Sequence, residues 1–166
     1  MDKLKLFPIR DEDYETYTKP RTLYHLTTLE AYEKIQTEGI KPQYGEHCKF
    51  FYQRHHGDAV GAFTPTTDTL VYLCEWQHIG IIYQIFKTSN VIIQVDITPN
   101  ILDKSIKYRT LNYTLRSNPN EFIEVTEYGC SKTITLPQIK NVYNIAIEND
   151  TFIITDFTTK EVINRY

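Results

Sequence analysis

The chain has 166 residues and a mass of 19.6 kDa, enough for about one domain with a real buried core. Its formal charge of −3 and pI of about 5.9 argue against a protein whose main task is non-specific duplex binding, which needs a strong cationic field. Apolar residues at 41 % and charged residues at 23 % speak against wholesale disorder, and no apolar run approaches the ~18 residues of a membrane span.

The N-terminus has no apolar stretch and turns acidic at once, so it does not read as a secretory signal. Three cysteines, Cys48, Cys74 and Cys130, make a disulfide framework improbable and a cytoplasmic location the expectation. Residues 1–20 read as an N-terminal arm or short helix ending at Lys19-Pro20. Thr22 to Leu26 is a short strand-prone run. Thr27 or Thr28 then caps a helix with Glu30 in its first turn. Leu29, Tyr32 and Ile35 keep one helical face, Gly39 stops the helix, and Ile40 folds back on its last turn.

Residues 43–69 read as a long loop, a length more often functional than decorative. Leu70 to Leu73 is a second strand, a helix is expected from Glu75 to Phe86, and Asn90 to Ile97 is a third strand. Residues 100–120 suggest a short helix and an irregular stretch, with a turn at Ser117 to Asn120. Four strands follow, at Glu121–Val125, Gly129–Ile134, Val142–Glu148 and Thr151–Phe157, with Asn149-Asp150 as a hairpin turn. There is no repeat, linker or low-complexity tract, so the expectation is one α+β domain over residues 1–166.

Three short motifs recur in a telling order. Leu23-Tyr24-His25-Leu26-Thr27 precedes the capped helix. Thr69-Leu70-Val71-Tyr72-Leu73 places a tyrosine among aliphatics. Glu127-Tyr128-Gly129 comes before Ile134-Thr135-Leu136-Pro137-Gln138-Ile139. Over residues 22 to about 143 this arrangement resembles the ADP-ribosyltransferase superfamily, of the His-Tyr-Glu type, which uses NAD as its donor. Many members carry Gly where Leu26 stands, and an aliphatic residue there resembles the nucleic-acid-modifying toxin branch.

The resemblance implies a split β-sheet sandwich with flanking helices, and NAD as co-substrate. It implies that His25 bonds the adenosine-side ribose, that the backbone at Leu26 and Thr27 holds the nicotinamide carboxamide, and that Tyr72 stacks on the nicotinamide ring. Glu127 would bond the nicotinamide-ribose 2′-hydroxyl and stabilise the oxocarbenium ion as nicotinamide leaves. Electrostatic preorganisation by a carboxylate and clamping of a cationic ring by an aromatic face are sound chemistry for those roles. Glu121 is the alternative catalytic position; the spacing to Ile134 and Pro137 favours Glu127.

Within the long loop, Lys49, Arg54, His55 and His56 stand beside Phe50, Phe51 and Tyr52. Cation and ring together suit a pyrophosphate or a single strand of nucleic acid, and Arg54 is the chosen pyrophosphate contact. His47, Cys48, His55 and His56 also raise a zinc site, but a second cysteine pair is missing, so no metal is expected. The implied activity is transfer of ADP-ribose to a nucleic-acid or protein acceptor, as in a toxin, a phage host modifier or a bacterial defence effector. An antitoxin or inhibitor protein is a further partner such a role implies. The competing reading is a catalytically inactive module that binds a nucleotide or a partner protein. RNA 2′-phosphotransferase chemistry ranks lowest, since it calls for more Arg and His residues in the cleft than the sequence offers.

Overall fold

A computed structural model describes residues 5–6, 21–43, 69–98, 104–111 and 122–165. Their elements are β1 (Lys5–Leu6), β2 (Arg21–Thr27), α1 (Leu29–Glu38), β3 (Val71–Cys74), α2 (Ile79–Ile85), β4 (Val91–Ile97), β5 (Lys104–Leu111), β6 (Phe122–Cys130), β7 (Ile139–Glu148), β8 (Thr151–Asp156) and β9 (Val162–Arg165). The strands form one sheet in the order β1-β5-β6-β3-β2-β4-β7-β8-β9. Every neighbouring pair is antiparallel.

The middle of this sheet is covered on both faces. All four residues of β3 are buried, as are Val91, Ile92, Ile93, Val95 and Ile97 of β4. Side chains alternate across a strand, so a run apolar at nearly every position requires cover above and below. Ile79, Ile81 and Ile82 of α2, with Phe86, pack over Leu26, Tyr72, Cys74, Ile92, Val125, Ile145 and Ile154. On the other face Ile35 of α1 joins Leu23, Val71, Leu73, Val91, Ile93, Tyr128 and Ile134. No described helix is long and apolar enough to cross a membrane.

The expected α+β sandwich with flanking helices is overturned: a nine-stranded antiparallel sheet dominates the described residues, and the two helices among them span only 10 and 7 residues. Several local differences account for this. The helix expected from Glu75 is a 3-10 turn at Trp76–His78 followed by the short α2. The stretch expected to hold a short helix contains β5, and the N-terminal arm contributes β1. One strand, β6, runs over 122–130 where two were expected at 121–125 and 129–134, Ile134 makes only an isolated bridge, and β9 lies where no strand was expected. Charged and polar residues interrupt β5, β6 and β9, which hides their period of two.

Local chemistry explains the elements that the sequence announced. Thr28 is the N-cap of α1, and its hydroxyl accepts from the Ala31 N–H at 3.1 Å. Leu29, expected on the packed face, is instead half exposed because it opens the helix beyond the core. Asn149 and Asp150 both have positive φ (49° and 59°), the geometry of a two-residue hairpin turn between β7 and β8.

Gly39 closes α1 at φ 74°, and its N–H donates to the Ile35 carbonyl. The next residue, Ile40, exchanges two 2.9 Å backbone hydrogen bonds with Ile134. A Cβ on residue 39 would lie 2.4 Å from the Ile134 carbonyl oxygen, so glycine is required on two counts. Gly39→Ala is expected to destabilise the protein by about 2 kcal/mol, lowering Tm by roughly 4–8 °C in a thermal melt. A melt unchanged within 1 °C or so would show that this junction does not constrain the fold.

Candidate functional site: the hollow between β2 and β3

Strand β2 treats its two neighbours unequally. It pairs with β4 residue by residue, from Arg21 with Ile97 to Thr27 with Val91. It pairs with β3 only at Tyr24 and Cys74. Beyond that point the two strands part. A cavity of about 300 Å³ occupies the gap, lined by His25 to Thr28 of β2 and its continuation and by Leu70 to Tyr72 beside it. One side of α1, Gly39, Ile40, Lys41, Gln43 and Ser89 complete the wall. The volume is at the lower end of the range for small-molecule sites.

His25 stands where the strands separate. Its Nδ1 lies 2.9 Å from the backbone carbonyl oxygen of Tyr72, 47 residues away. A carbonyl only accepts, so Nδ1 carries the proton and Nε2 keeps its lone pair. The ring thus satisfies a carbonyl at the place where the β2–β3 ladder has stopped. Burial holds the His25 pKa below its ordinary value of 6.5, with the bond to Tyr72 acting weakly the other way. The imidazole is therefore neutral at pH 7.

The residues singled out in the sequence fall as follows. His25, Leu26, Thr27 and Tyr72 all line the hollow. Glu127 does not; it is 1 % exposed and sits opposite Cys74 on β6, the strand next to β3. Alternation sets Glu127, Cys74 and Tyr72 on the α2 face of the sheet, and His25 with Leu23 on the α1 face. The hollow nevertheless takes walls from both sides: Leu26, Leu70 and Tyr72 belong to the α2-side core, and Val71, Ile35 and Ile40 to the α1-side core. Arg54, Glu121, and the histidines and cysteine of the long loop lie outside the described residues.

Near Glu127, the Cys74 thiol is pushed well up, first by burial and then by the negative charges of Glu127 and Glu75. That thiol stays protonated and is a poor nucleophile. Cys74 and Cys130 are both buried and unbridged. Sequence reasoning missed Ser89 and the Gly39–Ile40 floor. Ser89 sits in a short polar turn before β4, a signal that marks a boundary but says nothing of what it faces. No protein-family model, curated protein or solved structure matches the chain.

The depressed His25 pKa has a consequence for stability. The unfolded chain takes up this proton near pH 6.5 and the folded chain only at lower pH. Stability from this group is present above about 6.5 and is lost as pH falls toward the lower folded value. The wild type should therefore lose more Tm between pH 7.5 and 5 than His25→Gln does. Equal losses in parallel melts would show that His25 is not held neutral.

Proposed function

We propose that the protein is an NAD-dependent ADP-ribosyltransferase, which cleaves the nicotinamide–ribose bond and passes ADP-ribose to a nucleic-acid or protein acceptor. The observation that carries this reading is the 2.9 Å contact between the His25 ring and the Tyr72 backbone at the head of a ligand-sized hollow. Two motifs far apart in the chain meet there, and the strand bearing the third, β6, pairs directly with the strand bearing the second. The three motifs thus stand on three adjacent strands, β2, β3 and β6.

In this reading His25 offers a lone pair to a ribose hydroxyl, and Tyr72 presents its ring to the nicotinamide. Glu127, on β6 and outside the wall of the hollow, acts through its field on the ribose as that sugar becomes cationic. A carboxylate inside a low-dielectric region stabilises a developing cation more strongly than one in water. No nucleophile of the protein is needed, since the nicotinamidium ring takes the glycosidic electron pair and leaves as neutral nicotinamide, the positive charge passes to the ribose, and the acceptor then bonds the sugar carbon and gives up its proton. Cytoplasmic action, with an antitoxin or inhibitor as partner, belongs to the same proposal.

One observation favours a second reading. Glu127 is 1 % exposed and outside the wall of the hollow, which suits a module that binds a nucleotide without cleaving it. Incubation with labelled NAD separates the two. Under the first reading nicotinamide is released, label appears in nucleic acid or protein of an added lysate, and Glu127→Gln lowers release about 10²-fold or more with an unchanged melt. NAD binding without any release would leave the binding module standing. Full release by Glu127→Gln would remove Glu127 from the mechanism.

A further inference from the structure

The outer strand of a sheet offers a row of backbone groups to any chain that can pair with it. β9 closes the sheet order at one end, and among the described residues no strand pairs with its outer side. Five large apolar side chains are exposed among the described residues. Two of them, Val162 at 46 % and Ile163 at 50 %, are consecutive on this four-residue strand. No proline stands in β9, and its single charge, Arg165, is at the far end. The register with β8 shifts between Ile154 and Thr155, and Ile163 is the one residue of β9 left without a register partner on β8.

The residues around Ile163 run acid, apolar, apolar, polar, base: Glu161, Val162, Ile163, Asn164, Arg165. Glu161 and Arg165 are both exposed, and neither forms an ion pair among the described residues. That order is complementary to itself when reversed. In two identical strands related by a two-fold axis, residue i faces j and j faces i. With the axis at Ile163, Glu161 of each copy faces Arg165 of the other, the two Ile163 side chains meet, and each Val162 faces an Asn164. An axis at Val162 or at Asn164 removes both charge pairs. Opposite charges directly across an antiparallel pair attract and like charges repel, so the charges select one register.

We propose that β9 is a self-association edge, through which two copies of this chain pair antiparallel about a two-fold axis at Ile163 and join their sheets into one. The occupant is a second copy because the charge pattern of the edge matches its own reverse. The strands that border the hollow, β2 and β3, take no part, so the proposal stands apart from what the hollow binds. One short strand from each copy makes less than a standard interface, so the dimer is concentration-dependent rather than permanent.

The test is a charge-reversal cycle, read by sedimentation equilibrium of the full chain from micromolar to near-millimolar concentration. Wild type is compared with Glu161→Arg, Arg165→Glu and the double variant, after melts show that all are folded. The wild type should show a monomer–dimer equilibrium. Each single reversal turns two attractions into two repulsions and should weaken association by about tenfold or more. The double variant restores opposite charges across the axis and should return to within about threefold of wild type. Glu161→Arg also moves the formal charge from −3 to −1, which lessens general repulsion between copies, so weakening in that variant cannot come from net charge. Amide exchange within β9 of the wild type should slow as concentration rises, a reading that needs no variant. A wild type that stays monomeric throughout, a dimer that the single reversals leave intact, a double variant no better than the singles, or β9 exchange that ignores concentration overturns the proposal.

Discussion

The structure turns on an unequal bargain made by one strand. β2 gives its whole length to β4 but meets β3 at a single register pair. Every buried backbone carbonyl needs a partner, so a ladder that ends early must be finished by something else. The His25 ring does this for Tyr72. The paired stretch ends there, and the cavity lies beside the unpaired residues of the two strands. The site is thus made by a missing stretch of sheet rather than by an added loop or domain.

What surrounds that gap is rigid for ordinary packing reasons. β3 and β4 are apolar on both faces and are clamped between α1 and α2. The Ile40–Ile134 pair ties the end of α1 to the chain leading into β7. On the opposite side Tyr24, Trp76 and Tyr143 meet edge to face, with centroids 5.0 and 5.8 Å apart. Arg21 reaches across to Glu75 at 2.9 Å and lies over the Tyr128 ring. These contacts fix the turn that follows β3 and, with it, the direction in which β3 leaves β2.

How much of this could be read in advance depended on the kind of signal. The helix at Leu29–Glu38 was legible because Thr28, Glu30 and Gly39 punctuate it, and β4 because it is an apolar run bounded by polar turns. The hairpin at Asn149-Asp150 announced itself by two residues that tolerate positive φ. The overall class was misread, because Trp76 to Phe86 is apolar enough to pass for a long helix and Lys104 to Leu111 is too charged to pass for a strand. Of the candidate site, His25, Leu26, Thr27 and Tyr72 were legible as neighbours of a strand-to-helix turn. Which face each side chain takes was not, since that needs the register of three strands. Ser89 had no signal at all: a serine in a turn looks the same in sequence whether it meets water or a cavity.

The tie between the His25 ring and the Tyr72 carbonyl carries one more consequence. With Nδ1–H engaged, the only place for an added proton is Nε2. Acidification then does more than add charge: it converts the second ring nitrogen from a receiver of hydrogen bonds into a giver. The wall of the hollow thus carries a neutral imidazole at pH 7 and gains a positive charge only in more acidic solution.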